Sequence, residues 1–228
     1  MQDPDFQPPI NPLPPIVILT FLAIAGVEAG LSLGEAGIIG GPGAVGWRLG
    51  LIRDYGFSGQ ILDWMVANGI WPMAEVMRLF SYPFVHLGFT HSLFAMVLLL
   101  ALGKLVTETM GPVTFAVIFV LAGAGGALAY GLLLDDPAWL VGAYPSVYGL
   151  IGGYSFVMWR QLAGTGAQQY RAFTLIAFLM GIQLVWGIFF EVGLQWVAEL
   201  AGFFIGFGLC FVFAPGEWHR IRSALNRR

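Results

Sequence analysis

Six apolar runs dominate this chain of 228 residues and limit how it can fold. They cover roughly residues 16–33, 91–106, 113–134, 146–159, 173–190 and 196–213. A helix that crosses the hydrocarbon layer needs about 20 mostly apolar residues, and flanking residues can lengthen the shorter runs. Charged residues make up 10% of the chain, whereas soluble domains carry about 25%. We therefore predict an all-α integral membrane protein with about six transmembrane helices packed in one bundle.

The polar stretches divide the chain into a membrane domain and two tails. Residues 1–15 form a proline-rich tail whose charges are Asp3 and Asp5, so it lacks the basic region of a cleaved signal peptide. Residues 16–213 form the membrane domain, and residues 214–228 form a basic tail. Within the domain, residues 34–82 make a long first loop, in which glycine-rich turns alternate with amphipathic segments at 47–55 and 61–66. Such segments lie along the membrane interface.

The distribution of lysine and arginine predicts the orientation, because cytoplasmic loops carry an excess of both. With the N-terminus inside, the first loop places Arg48, Arg53 and Arg78 outside. The inner side then receives the other seven basic residues, which are Lys104, Arg160, Arg171, Arg220, Arg222, Arg227 and Arg228. Both termini are therefore expected in the cytoplasm. The compact chain, without appended soluble domains, favours a bacterial inner membrane.

Composition excludes several classes of function. A formal net charge of −3 argues against nucleic acid as a partner. The single cysteine, Cys210, lies in an apolar run, so no intrachain disulfide forms and a buried, inert thiol is expected. With three histidines and no clustered thiols, neither a metal site nor a cofactor is predicted.

Two motifs in the later spans resemble those of the rhomboid intramembrane proteases. Residues 141–152 are similar to the segment in which that family presents a nucleophilic serine as Gly-Ala-Ser-Gly at the start of a helix. Here Tyr144 occupies the serine position and Pro145 the position of the following glycine. Residues 198–206 resemble the family's Ala-His-Leu-Gly-Gly helix, and Glu199 occupies the position of the basic histidine.

Earlier segments extend the resemblance over most of the chain, from about residue 75 to 206. Residues 75–86 resemble the family's Trp-Arg loop, with Arg78 matching the arginine and Met77 replacing the tryptophan. His86 and His91 match a His-x4-His-x3-Asn stretch, in which Ala95 replaces the asparagine of the oxyanion hole. Gly103 and Gly111 match the glycines that flank the family's turn to the next helix. Thr107 replaces the glutamate between them, and Glu108 follows one residue later.

The resemblance implies a rhomboid-like fold in which the hydrolytic chemistry is lost. A Ser–His dyad needs a hydroxyl nucleophile and a base to accept its proton, and both positions are replaced here. The retained family positions are Arg78, His86, His91, Gly142, Tyr148, Gly149 and Gly202. We therefore predict a pseudoprotease, not an enzyme, that binds transmembrane helices of other integral membrane proteins. It would serve as an accessory subunit of a larger membrane complex or as an assembly or quality-control factor, and it would also contact lipids.

An alternative is an active serine protease with a rearranged site formed by Ser146 and His91. Ser146 lies two residues after Tyr144, and two helical positions rotate a side chain by about 200°. It would then point away from the sixth span, which favours a packing role. His86 and His91 are interpreted as structural polar residues near the outer surface, since positions five apart do not share one helical face.

Glu199 needs a partner, because a carboxylate within a membrane helix is costly unless it is neutral, paired or hydrated. We predict a protonated Glu199 that is hydrogen-bonded to Tyr144, so that this pair plugs the former active site. A small transporter or a proton channel centred on Glu199 is a third hypothesis, although the chain has no inverted repeat and few intramembrane charges. Glu28 in the first span raises the same question, and a position facing water at the outer end is expected for it.

Overall fold

A computed structural model describes residues 12–163, 165, 168–190 and 193–213. Most of the predicted proline-rich tail and the whole basic tail at 214–228 lie outside the described residues. The described helices are α1 (Pro15–Glu35), α2 (Trp47–Tyr55), α3 (Gly59–Asn68), α4 (Met73–Ser81), α5 (Phe89–Met110), α6 (Pro112–Leu133), α7 (Tyr144–Ala163), α8 (Thr174–Phe189) and α9 (Trp196–Phe213). Short 3₁₀ segments at Gly41–Gly46, Tyr82–Phe84 and Gln169–Phe173 connect some of them.

The predicted all-α membrane fold is confirmed. Five helices are long and apolar enough to cross a membrane: α1, α5, α6, α9 and the stretch Gln169–Phe189, which includes α8. The remaining predicted span is α7, whose 20 residues include Ser146, Tyr148 and Ser155. It packs against α5, α6 and α9 in the middle of the bundle. Eleven of its residues are buried, and because Ser146, Tyr148 and Ser155 are among them, these three polar side chains face protein rather than lipid.

Small residues let the central helices approach to backbone contact. A Cβ atom added to Gly206 on α9 would lie 2.0 Å from the carbonyl oxygen of Gly149 on α7. One added to Gly126 on α6 would lie 2.6 Å from the carbonyl oxygen of Ala198 on α9. Contacts of this kind between small residues are a main source of helix association in membranes. They hold α6, α7 and α9 together and fix the ends of these helices relative to one another.

The first loop contains short helices, as predicted. The segment at 47–55 is α2 with the same bounds, and the segment at 61–66 falls within α3. Phe57 in this loop forms an antiparallel bridge with Leu140, which lies just before α7, through N–O distances of 3.0 and 2.9 Å. The loop is therefore attached to the bundle beside the start of α7.

The helix α8 is held less tightly than its neighbours. Ile176 is the one buried residue among 174–189, and large side chains such as Phe178, Leu184, Ile188 and Phe189 are more than 60% exposed. In a bilayer these side chains face lipid. Gln183 is the polar residue of this helix that reaches the other spans, through hydrogen bonds to α7 and α9.

Candidate functional site

Tyr144 and Glu199, the two positions that the resemblance assigns to a Ser–His dyad, lie near each other at one end of the bundle. Tyr144 is the first residue of α7, and Glu199 lies in the first turn of α9. Close packing brings these helix starts together, because a Cβ atom on Gly202 would lie 2.2 Å from the carbonyl oxygen of Pro145. Only glycine fits at this position. Gly202 therefore sets the distance between the starts of α7 and α9, and so between Tyr144 and Glu199.

Tyr144 faces α5 rather than α9. Its hydroxyl donates a hydrogen bond to the backbone carbonyl oxygen of His91 across 3.0 Å. The rings of Tyr144 and His91 lie 4.7 Å apart between centroids. The phenol therefore fills the space between the starts of α5 and α7.

Glu199 is buried, at 7% exposure, and is bound by groups from two other helices. The Gln183 amide nitrogen donates to its Oε2 atom across 2.6 Å. The Tyr148 hydroxyl also hydrogen-bonds to the carboxylate, and the same Gln183 nitrogen donates to that hydroxyl across 3.3 Å. The three side chains form one hydrogen-bonded cluster, here called the Glu199 cluster, which joins α7, α8 and α9.

The predicted hydrogen bond between Tyr144 and Glu199 is therefore wrong. Tyr148 lies one helical turn further along α7 than Tyr144, on the same face, and it reaches the carboxylate instead. The Tyr144 hydroxyl is bonded to α5. Tyr148 and Glu199 thus form one unit, whereas Tyr144 belongs to a second group with the histidines.

The two histidines lie side by side, which corrects the expectation from their spacing. His86 precedes α5 in a non-helical stretch, so helical periodicity does not separate the two rings, and their centroids are 5.4 Å apart. The backbone N–H of Ala143 donates to His86 Nε2 across 3.3 Å, and that of Leu87 donates to His91 Nδ1 across 3.4 Å. Gly142 permits this packing because a Cβ atom there would lie 2.7 Å from His91 Cε1, and its φ of 94° also favours glycine.

Burial and charge keep His86 neutral. The residue is 1% exposed. Burial is the main cause that lowers the pKa of its imidazole to about 4, and the neighbouring His91 lowers it further. Within the described part of the chain, no three His, Cys, Asp or Glu side chains come together in an arrangement that could hold a metal ion.

Ser146 points away from α9, as its helical position predicts. Its side chain faces α6, where a Cβ atom on Gly123 would lie 2.4 Å from Ser146 Oγ. The hydroxyl is fully buried and has no hydrogen-bond partner among the described residues. The arrangement thus does not couple Ser146 to His91.

Ala95 and Arg78 are two further positions of the motifs that resemble those of rhomboids. Ala95 is fully buried on α5 and presents a methyl group where an asparagine would offer a hydrogen-bond donor. Arg78 on α4 donates to the carbonyl oxygens of Arg53 and Gly56 at 2.7 and 3.0 Å. It also pairs with Glu75 and lies 5.5 Å from the centre of the Trp139 ring. Arg78 therefore ties the first loop to the segment that leads into α7.

A buried ion-pair network next to the histidines was not predicted. Glu28 was expected to face water at the outer end, and this expectation is wrong. Its side chain is 3% exposed and is bound by Arg48 of α2. The two Arg48–Glu28 hydrogen bonds measure 2.8 and 3.0 Å, and Ser32 donates to the same carboxylate across 2.8 Å. Arg48 also pairs with Glu35, at 2.5 and 3.1 Å.

This network connects the first loop to the histidine group. Arg48 Nη1 donates to the backbone carbonyl oxygen of His86 across 2.9 Å. Hydrogen bonds to Glu28, and then to Glu35, raise the pKa of the Arg48 guanidinium, so the cation is firmly retained. One sequence signal was available, because Glu28, Ser32 and Glu35 recur at intervals of four and three residues and so share one face of α1.

Comparisons with known proteins agree with the resemblance seen in the sequence motifs. The Rhomboid domain family profile matches residues 73–216. A plant protein, RHOMBOID-like protein 1 of Arabidopsis thaliana, is 32% identical over 142 residues, which are 61% of this chain and 35% of that protein. RHOMBOID-like protein 4 of the same plant is 28% identical over 141 residues, or 60% of this chain and 34% of that protein. The matched part thus spans about a third of the length of these relatives.

Proposed function

The chain belongs to the rhomboid family, and from this premise we propose that it is a member that does not cleave its partners. It binds transmembrane helices of other membrane proteins, as an accessory subunit of a membrane complex or as an assembly or quality-control factor. A rhomboid protease must admit and hold a substrate helix before it can cleave it. A member that keeps the fold and lacks the dyad retains the means to bind.

The observation that carries this proposal is the chemistry at the two dyad positions. Nucleophilic catalysis needs a hydroxyl within hydrogen-bond reach of a base. Tyr144 at the nucleophile position donates a hydrogen bond to a backbone carbonyl oxygen, and Glu199 at the base position is hydrogen-bonded to Gln183 and Tyr148. Neither group is directed at the other. The replacement of the oxyanion-hole asparagine by Ala95 supports the same conclusion, since loss of one such donor costs a hundred- to thousandfold in rate in a known protease.

The alternative proposal of an active site built from Ser146 and His91 has less support. Ser146 Oγ faces Gly123 on α6 and has no base beside it. His91 Nδ1 already accepts a hydrogen bond from the backbone of Leu87. Covalent labelling of Ser146 by a fluorophosphonate would favour this alternative over the pseudoprotease.

We further propose a bacterial inner membrane as the location, with both termini in the cytoplasm. The excess of lysine and arginine in the inner loops and the final tail supports this orientation. Arg160 near the end of α7 and Arg171 just before α8 flank one inner loop. The bacterial origin rests on the sequence alone, since the two relatives are plant proteins.

Purification of the tagged protein from its native membrane in a mild detergent, followed by mass spectrometry, tests the proposed role. Integral membrane proteins that co-purify with intact spans support helix binding. One membrane complex in fixed proportion indicates an accessory subunit, whereas many single-span proteins in small amounts indicate an assembly or quality-control factor. Recovery of partners that are cut within a span would contradict the proposal.

A further inference from the structure

The Glu199 cluster joins a well-packed part of the bundle to a poorly packed one. Tyr148 on α7 and Glu199 on α9 belong to helices that meet through glycine backbones and are fixed in place. Gln183 lies on α8, and Ile176 is the one residue of that helix that is buried. The carboxylate and the tyrosine hydroxyl are therefore preorganised, while the amide that completes the cluster comes from the element that is easiest to move.

Gln183 also leaves a polar atom without a partner. Its Oε1 atom is buried and accepts no hydrogen bond from the described residues. Both hydrogen bonds of the amide come from the nitrogen, which donates to Glu199 and to Tyr148. A buried acceptor without a donor is costly in a membrane interior. The present arrangement thus satisfies the carboxylate better than it satisfies the glutamine.

We propose that the Gln183 amide makes the hydrogen bond to Glu199 that a donor on a partner's helix makes when that helix binds. The protein would then select transmembrane helices that carry an amide or ammonium side chain about one turn inside the outer interface. This inference rests on the proposed function of helix binding. When such a helix lies against α9, its N–H group donates to Glu199 in place of Gln183, and α8 moves aside.

Charge and depth define this partner. Glu199 and Tyr148 together offer oxygen acceptors, so an acidic or purely apolar helix gains nothing at this position. Glu199 is the fourth residue of α9, which places the carboxylate about 5 Å along the helix axis from its start. A donor at the middle of the partner's span would miss it. Apolar residues of the partner would replace the contacts that α8 makes with lipid and with the bundle.

Model helices reconstituted with the labelled, full-length protein in liposomes test this inference. The probe is a single-span Leu/Ala peptide with one glutamine about one turn inside its outer end, at low peptide-to-lipid ratio. Two matched peptides carry leucine at that position or place the glutamine at mid-span. Binding is measured by energy transfer between peptide and protein. We expect the probe to bind about three- to twentyfold more tightly than either control, the range known for hydrogen bonds between membrane helices.

Variants of the cluster separate its roles. Glu199→Met should abolish the preference, so that the probe and the leucine peptide bind this variant equally. Gln183→Met removes the competing donor and should strengthen probe binding severalfold. Gln195→Met is the matched control, because Gln195 lies just before α9 and donates to the backbone carbonyl oxygen of Trp139 instead of to the carboxylate. It should change neither affinity.

The outcomes distinguish the two proposals. Equal binding of all three peptides to the unmodified protein would contradict the inference that Glu199 selects partners, and it would still support the proposed function of helix binding. A preference that persists in Glu199→Met would also overturn it. Failure of every peptide to bind the unmodified protein would contradict both the inference and the proposed function.

Discussion

Gly206 on α9 lies against Gly149 on α7 so closely that a Cβ atom on Gly206 would be 2.0 Å from the Gly149 carbonyl oxygen. No heavy atom could remain at that distance, so the two helices would have to separate. This contact lies about two turns from Glu199 and supports the geometry of the Glu199 cluster.

The substitution Gly206→Ala should therefore destabilise the bundle by about 3 kcal/mol, at the upper end of the cost of overpacking. The control is Gly208→Ala, where an added Cβ meets nothing within 4 Å. It should leave stability unchanged or raise it slightly, because alanine favours the helix. Thermal unfolding of the two variants in detergent measures the difference. Equal melting temperatures would show that the helices are not in backbone contact.

The Glu28–Arg48 pair should make a large contribution to the stability of the first loop. Arg48→Met leaves the carboxylate of Glu28 buried without its cation, and loss of one partner of such a pair costs about 3–5 kcal/mol. Adding Glu28→Gln to this variant should recover part of the loss. The control is Arg53→Met, because the Arg53–Asp54 pair is exposed and 3.5 Å long, and the change should stay within about 0.5 kcal/mol. Similar losses in both single variants would contradict the buried network.

Stability should fall in mild acid because of His86. Its pKa is lowered to about 4 in the folded protein, against about 6.5 in the unfolded chain. Between these values the unfolded chain binds a proton that the folded protein does not, so the free energy of unfolding falls as the pH drops from 6.5 to 4. The loss is up to about 3 kcal/mol. Thermal unfolding across this range measures it. His86→Gln should flatten the profile, and an equally steep profile in that variant would assign the effect to other groups.

Removal of the Ser146 hydroxyl should not destabilise the protein. The Oγ atom is buried and has no hydrogen-bond partner among the described residues, so Ser146→Ala should leave stability unchanged or raise it by about 1 kcal/mol. Thr114→Val is the contrasting variant. Its buried hydroxyl donates to the carbonyl oxygens of Met110 and Phe213, and its loss should cost about 1 kcal/mol. A clear loss of stability in Ser146→Ala would indicate a bonded hydroxyl and reopen the question of its role.

The spans could be predicted well because their signal is local. Apolar runs identify membrane helices directly, and the predicted bounds of α9 and α2 agree with those of the structure. The bounds of α7 were too narrow, since its ends carry Tyr144 and Arg160 rather than apolar residues. A central helix can include such residues because neighbouring helices, not lipid, surround it.

The contacts between spans could not be predicted with the same success. The resemblance to the rhomboid motifs implied that Tyr144 and Glu199 lie near each other, but not which of two tyrosines on one face of α7 reaches the carboxylate. Gln183 was missed because nothing in an apolar run indicates which face of α8 turns inward. The Glu28–Arg48 pair joins residues 20 positions apart, and only the folding of the first loop over α1 brings them together.

The most direct test of a rhomboid fold that binds without cleaving uses one reporter for both events. A single-span peptide with the glutamine described above carries a different fluorophore at each end and is incubated with the protein in liposomes. Energy transfer to labelled protein reports binding, and gel electrophoresis reports the length of the peptide. We predict saturable binding of a peptide that stays intact over long incubation. Cleavage within the span that Ser146→Ala abolishes would contradict the central claim.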